Sequence, residues 1–356
     1  MTKIRVVQIG CGKMSKYTMR YVYESGAEIV GAVDINPKVI GHDIGSIMEQ
    51  RPKQVIIHNL KDLDSLLKET KPDIAIITTM SLVRDLEDIL RTVVSNKVNA
   101  ITTCEEAFYA ENSNYKVFHE IDILAKSNGV TVTGCGYQDI FWGNLITTIA
   151  GSTHKITKIK GSSSYNVEDY GIALAKAHGA GLTISEFEND IAAKDKIDAE
   201  TINELIRKGE FNPSYMWNTV GWLADKLQLH IKSINQKCVP MTNKKDIHSS
   251  TLDMNITAGM ATGMSAIVTA ETNEGITLVA ECIGKVYDET EFDKNEWTIY
   301  GEPDTTVIVN RPKTVELTCA DIVNRLPDVI SSTPGFIPTS RLGEPKYRLN
   351  SLDTYL

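Results

Sequence analysis

Apolar residues follow two different patterns along the chain, and the change of pattern divides it. Short, almost continuous apolar runs rich in β-branched residues lie at 4–9, 28–33, 55–58, 73–79, 98–103 and 130–133. Such runs predict strands buried on both faces. Between them, 13–24, 60–69, 82–95 and 112–128 carry apolar residues at helical spacing. Strands alternating with helices predict an α/β fold with a doubly wound parallel sheet. After Trp142 the pattern shifts. A strand is predicted at 156–165, helices at 172–193 and 199–208 with a break at Gly179-Ala180-Gly181, and a helix at 213–229. Strands at 262–272 and 276–287 flank Asn273-Glu274-Gly275, and strands at 297–300 and 305–309 flank Gly301-Glu302-Pro303-Asp304. These are hairpin signals, and they predict an α+β part with a mainly antiparallel sheet and helices on one face. A closing helix is expected at 318–332, broken near Pro327, with an irregular tail after Pro334. The expected domains are 1–136, 137–332 and a tail, 333–356, placed to pack back.

The first turn carries the clearest chemistry. The strand at 4–9 runs straight into Gly10-Cys11-Gly12, and Lys13, Met14 and Ser15 open the following helix. Gly10 permits a tight turn, and Gly12 lets the backbone approach a pyrophosphate seated on the free N–H groups of the helix start. The third glycine of the dinucleotide fingerprint is replaced by Ser15, small enough for close helix–strand packing. Asp34 ends the second strand at about 20 residues beyond Gly12, the spacing of the acid that binds ribose hydroxyls. The unit is therefore of Rossmann type. Asp34 repels a 2′-phosphate and favours NAD, while Lys38 and His42 leave NADP open. In doubly wound sheets ligands bind at the carboxyl ends of strands. The expected cofactor contacts are Gly10, Cys11, Gly12, Lys13, Met14, Ser15, Asp34, Ile35, Lys38, Thr78, Thr79, Met80, Cys104 and Gly136.

Composition narrows the class. A length of 356 residues suffices for two domains with substantial cores. A net charge of −9 argues against a nucleic-acid surface. No apolar run approaches the ~20 residues of a membrane span. The chain opens directly on a strand, so no secretory signal is expected. Six scattered cysteines form no C-x-x-C pair and no zinc spacing. Free thiols in a reducing cytoplasm and no metal site are the expectation.

Two further stretches carry candidate reactive groups. In ITTCEEAFYA the strand ends near Thr103, so Cys104, Glu105 and Glu106 fall where a nicotinamide would lie. Side chains alternate along an extended segment, so one glutamate faces the ligand and the other caps a helix or pairs with a base. Many two-domain dehydrogenases carry lysine here, and an ungapped comparison puts it on Glu106, slightly ahead of Glu105 as the catalytic candidate. A carboxylate attracts an ammonium and takes its proton, where a lysine would serve an alcohol oxygen. That attraction at ~4 Å is worth about 4 kcal/mol at an effective dielectric of 20. In TGCGYQDIFWGN, Tyr137, Gln138, Asp139, Phe141 and Trp142 form a polar–aromatic set suited to an amine pocket, with Tyr137 and Asp139 the better ligand-facing candidates. Tyr165, Tyr170 and His178 add a third group of candidate substrate contacts.

Together IRVVQIGCGKMS, VGAVDINPKVIGHDIG, ITTCEEAFYA, GCGYQDIFW and the late TPGF resemble amine dehydrogenases related to 2,4-diaminopentanoate dehydrogenase, whose nucleotide domain is dihydrodipicolinate-reductase-like. The resemblance spans the whole chain. It implies oxidation of a primary amine to a ketone with release of ammonia and NAD(P)H, the reverse reductive amination, and a homodimer built through the second domain. Three other readings stay open: a cyclic-imine reductase, a semialdehyde dehydrogenase with Cys104 or Cys135 as nucleophile, and a non-catalytic NAD-binding protein.

Overall fold

The computed structural model describes residues 3–356. The elements run β1 (Arg5–Ile9), α1 (Ser15–Glu24), β2 (Glu28–Asp34), α2 (Ile44–Ile47), β3 (Ile57–Asn59), α3 (Leu63–Thr70), β4 (Ile74–Ile77), α4 (Val83–Ser95), β5 (Asn99–Thr102), α5 (Tyr115–Asn128) and β6 (Thr131–Gly134). Next come α6 (Leu145–Ala150), β7 (Lys155–Asn166), α7 (Ile172–Ala177), α8 (Ile184–Asp190), α9 (Ala199–Lys208) and α10 (Tyr215–Lys226). The strands β8 (Ile231–Thr242), β9 (Ile247–Ser249), β10 (Met254–Ile256), β11 (Ala261–Thr272), β12 (Thr277–Lys285), β13 (Lys294–Glu302) and β14 (Thr305–Asn310) precede α11 (Thr314–Ile330) and β15 (Gly335–Phe336). The chain divides into two compact units, one of 1–144, 206–211 and 313–356, the other of 145–205 and 212–312.

The first unit is built on a seven-stranded parallel sheet in the order β15-β6-β5-β4-β1-β2-β3. Chain order reverses between β1 and β4, which opens a crevice at their carboxyl ends. Alternate side chains of each strand serve two cores. Val7 and Ile9 of β1 join α3, α4 and α5 on one face, while Ile4 and Val6 join α1 and α11 on the other. Burial of both faces explains the uninterrupted apolar runs in the sequence.

Two expectations are corrected here. Helix α11 is not broken at Pro327 but runs through it to Ile330. Pro327 removes one backbone hydrogen bond near the helix end, and the flanking Leu326 and Val329 are buried, so packing holds the last turn. Nor is the tail wholly irregular. Gly335 and Phe336 pair in parallel with Thr131 and Val132, adding an edge strand, and Phe336 packs on Phe118 at 5.4 Å between ring centroids. A two-residue strand carries too little pattern to be seen in sequence.

The second unit centres on a six-stranded sheet in the order β14-β13-β7-β12-β11-β8. Only β7 and β12 are parallel; the other neighbours are antiparallel. Helix α10 buries Met216, Trp217, Val220, Trp222 and Leu223. Gly161 sits opposite Trp297 on the neighbouring strand, and any Cβ there would collide with the indole. The edge strand β8 and the β9–β10 pair had no clear sequence signal. β8 alternates polar residues with half-buried ones and contains Pro240, which is tolerated only at an edge.

If the C-terminal segment is integral to the first sheet, Phe336→Ala lowers unfolding free energy by about 3–5 kcal/mol in urea titration. A loss under about 1 kcal/mol contradicts that role.

Candidate active site

The turn after β1 is shaped from three sides. Gly10 has φ +90°, and a Cβ on it would lie 2.7 Å from Thr79 Cγ2 and 2.9 Å from the Thr78 carbonyl oxygen. No protein atom lies within 4 Å of a Cβ built on Gly12, so protein packing does not require a glycine there. A glycine there leaves the backbone open to close approach by a ligand. Helix α1 has no side-chain cap at Met14, and its Ser15 and Tyr17 amides donate to the Gly12 and Met14 carbonyls at 3.2 and 3.0 Å. Ser15 is fully buried and donates from Oγ to the Gly12 carbonyl at 2.7 Å, so the replaced glycine serves close packing. Asp34 is aimed at the loop. Its Oδ2 accepts from the Cys11 amide at 2.5 Å and its Oδ1 from the Asn36 amide at 2.7 Å. Gln8, not singled out in the sequence, braces the turn. Its Nε2 donates to the Gly10 carbonyl and to Thr78 Oγ1, both at 2.9 Å, and its Oε1 accepts from Thr18. A lone amide in a run of buried apolar residues was the available signal. Lys13, Ile35, Lys38, Thr79 and Met80 are exposed around this crevice. Ile35 and Met80 are large apolar groups left open at the carboxyl ends of β2 and β4. The loop, the uncapped helix and Asp34 fit a dinucleotide.

The adjacent glutamates separate cleanly. Glu106 is 2% exposed. Its Oε2 accepts from the Val83 amide at 2.7 Å and its Oε1 from Ser113 Oγ at 2.8 Å. It therefore caps α4, whose own N-cap, Leu82, has no polar side chain to offer. Burial raises its carboxyl pKa, opposed by those two hydrogen bonds. Glu105 keeps part of its surface exposed. Burial also raises its pKa, opposed by the Ser81 hydroxyl. A partly exposed carboxylate with few local partners at the end of β5 is suited to accept a proton. Cys104 beside them is fully buried, and burial together with both glutamates pushes its thiol well above the ordinary range. Cys135 is likewise buried and raised, so neither thiol has the character of a nucleophile.

After β6, Gly136 adopts φ +137°. Tyr137 stacks on Phe141 at 4.4 Å and meets Trp142 edge-on at 6.0 Å, within a π-helical turn over Asp139–Asn144. Gln138 Nε2 and Trp142 Nε1 are buried with no hydrogen-bond partner. Asp139, expected to face a ligand, instead points inward. It is fully buried, its Oδ2 accepts from Arg325 Nε at 2.9 Å and Nη2 at 2.8 Å, and its Oδ1 accepts from Asn144. An unpaired carboxylate there would be costly, and Arg325 is the partner the sequence could not reveal. Cys135, Asp139 and Asp321 lie close enough to share a metal ion, but Arg325 already supplies the positive charge to Asp139.

In the second unit, Tyr165, Tyr170 and His178 come together. His178 Nδ1 lies 2.9 Å from the Leu174 carbonyl, which can only accept, so Nδ1 carries the proton. Nε2 then accepts from the Tyr165 hydroxyl at 2.6 Å. Burial lowers the His178 pKa and favours this neutral form. Tyr170 meets Tyr165 edge-on at 5.6 Å. A Cβ on Gly284 would come within 2.5 Å of His178 and 2.7 Å of the Tyr165 hydroxyl, so the pair depends on that glycine.

Residues 141–354 match the family model of the 2,4-diaminopentanoate dehydrogenase C-terminal domain. The 2,4-diaminopentanoate dehydrogenase of Acetoanaerobium sticklandii is 28% identical over 196 residues, 54% of each chain. The match thus spans about half the length of that curated relative. An amine dehydrogenase from Mycobacterium smegmatis is 34% identical, with 98% of each chain covered and a TM-score of 0.83. A probable dehydrogenase from Thermotoga maritima shares the fold, at 10% identity, 93% and 90% coverage and a TM-score of 0.57. So does the WlbA dehydrogenase from Bordetella pertussis, solved in complex with NADH and UDP-GlcNAcA, at 13% identity, 86% and 74% coverage and a TM-score of 0.54.

The two glutamates should respond oppositely to substitution. Glu106→Ala uncaps α4 and is expected to cost about 1–2 kcal/mol in denaturant unfolding. Glu105→Gln is expected to leave stability unchanged or raise it, because a raised folded-state pKa means the anion is disfavoured on folding. Equal losses for both contradict this division.

Proposed function

The chain belongs to the family of the 2,4-diaminopentanoate dehydrogenase C-terminal domain, and from that premise we propose that it is a nicotinamide-dependent amine dehydrogenase. It oxidises a primary amine, a simple alkylamine or a 2,4-diaminopentanoate-like diamino acid, to a ketone and ammonia, and catalyses the reverse reductive amination. The observation that carries the reading is Glu105, a partly exposed carboxylate at the carboxyl edge of the parallel sheet. Its neighbour is occupied as a helix cap.

The residues that would hold the cofactor are Gly10–Gly12 and the first turn of α1 for the pyrophosphate, with Asp34 for the ribose. We infer a preference for NAD, because the Asp34 carboxylate repels a 2′-phosphate. Bound there, the nicotinamide supplies the hydride acceptor. The protein's part is proton handling and charge. Glu105 attracts the substrate ammonium and takes one proton from it, so that the nitrogen lone pair can drive hydride departure from carbon. Once Glu105 has released its first proton to solvent, water attacks the iminium carbon and Glu105 takes a proton from that water. It returns this proton to the carbinolamine nitrogen, and ammonia leaves as the hydroxyl gives up its proton and the carbonyl forms. Tyr137, Phe141 and Trp142 offer an aromatic wall to a cation, worth ~0.5–2 kcal/mol.

Two points of context belong to the same proposal. On the second sheet Lys158 lies opposite Tyr300, Lys160 opposite Thr298, and Ser162 between Glu281 and Glu296, with Tyr300 and Ile308 exposed. A surface of mixed charge and apolar groups suits an isologous contact, and we infer a homodimer through it. Six free cysteines suit a reducing cytoplasm. Among the described residues, no helix is long and apolar enough to cross a membrane.

NADH formation over a panel of 2,4-diaminopentanoate, alkylamines, amino acids and alcohols tests the reaction class. Turnover of alcohols with none of any amine removes it. Glu105→Gln is expected to lower turnover about a hundred- to ten-thousandfold. Because burial raises the Glu105 pKa, the active anion of the free enzyme is lost as pH falls through that raised value. kcat/KM should therefore fall on the acid side. Full activity of Glu105→Gln would refute the assignment.

A further inference from the structure

One row of α11 is polar, buried and directed at the loop that leaves β6. Thr318, Asp321 and Arg325 recur at intervals of three and four, so they share one side of the helix. They are 7%, 3% and 0% exposed. The same helix sends Ile322, Leu326 and Val329 into the sheet core, so its polar row is not needed for docking. Each polar residue takes hold of a successive point of 135–139. Asp321 Oδ2 lies 3.0 Å from Cys135 Sγ, and the Gly136 amide interacts with the same carboxyl. Thr318 Oγ1 accepts from the Tyr137 amide at 3.2 Å, and its methyl lies 2.8 Å from where a Gly136 Cβ would be. Arg325 grips Asp139, while its Nη1 donates to the Gly343 carbonyl at 2.5 Å.

We propose that Thr318, Asp321 and Arg325 act as a clamp that positions the 136–138 segment at the carboxyl edge of the sheet for cofactor binding. They are positioning residues and touch neither cofactor nor substrate. The proposal rests on the dehydrogenase reading for what the segment binds, and on the contacts within the first unit for the clamp itself. Gly136 is confined by Thr318 and has an unusual backbone angle, so releasing the clamp frees the turn that presents it.

The charge balance adds a pH dependence. Facing Asp321 are Cys135 and Asp139 from the loop after β6 and Arg325 from its own helix. Arg325 directs Nε and Nη2 to Asp139, and its Nη1 lies 3.6 Å from Asp328, which also pairs with Arg348. No guanidinium nitrogen bonds Asp321, and its Oδ1 has no hydrogen-bond partner. Burial, then Asp139, hold its carboxyl well above the ordinary range. A raised folded-state value means that ionising Asp321 is disfavoured on folding, a cost that sets in as pH rises above the ordinary carboxyl range and is complete once pH passes the raised value.

The test uses the full-length protein. Thr318→Val preserves shape and removes the acceptor for the Tyr137 amide. It should weaken NADH binding about tenfold and speed amide hydrogen exchange at 136–138 about tenfold in the cofactor-free protein. Asp321→Asn mimics the neutral acid. Wild type should lose NADH affinity as pH rises into the alkaline range, whereas Asp321→Asn should bind as tightly as wild type in the acidic range and show no such loss. Unaltered exchange in Thr318→Val, or the same alkaline loss in Asp321→Asn, overturns the proposal. If wild type binds no NADH, the dehydrogenase reading fails, and the exchange measurement alone then decides the clamp.

Discussion

The bond from the Val83 amide to Glu106 decides which of two adjacent carboxylates is available for chemistry. Helix α4 begins after Leu82, which has no side-chain oxygen to offer its first amides. Glu106 supplies one from outside the helix and is held there by Ser113 as well. A carboxylate anchored by a helix amide and a hydroxyl is fixed in direction, and the two bonds offset part of the cost of burying it. It cannot follow a proton through a reaction without uncapping the helix. Glu105 has no such duty and keeps contact with solvent. The proposed chemistry depends on this division of labour.

The parallel sheet gives that pair its setting. Its strand order brings the ends of β1 and β4 together at the point of reversal, and Gln8 ties the two ends by bonding Gly10 and Thr78 at once. The β6 exit is held differently, by a buried ion pair to a helix far along the chain. Such a pair contributes little net stability compared with apolar packing, but breaking one partner is costly.

Much of this was legible in the sequence because it is local. Buried strands declare themselves as continuous apolar runs, and the Gly10–Gly12 turn with Asp34 is a pattern of fixed spacing. What was not legible was tertiary. Asp139 reads as a ligand-facing acid until Arg325, 186 positions away, is seen to take it. Glu106 could be told from Glu105 only once the start of α4 was next to it, although the missing cap at Leu82 was a usable hint. Strand β8 was hidden by its edge position, where one side is solvated and Pro240 is permitted. The path of α11 through Pro327 was set by buried neighbours that override a local helix breaker.

The most direct measurement is a crystal structure with NAD and an unreactive amine bound. The account predicts the Glu105 carboxylate within hydrogen-bond distance of the amine nitrogen, with Glu106 still on the Val83 amide and Ser113. A structure in which Glu106 has left α4 to meet the amine, or in which neither carboxylate reaches it, would contradict the account.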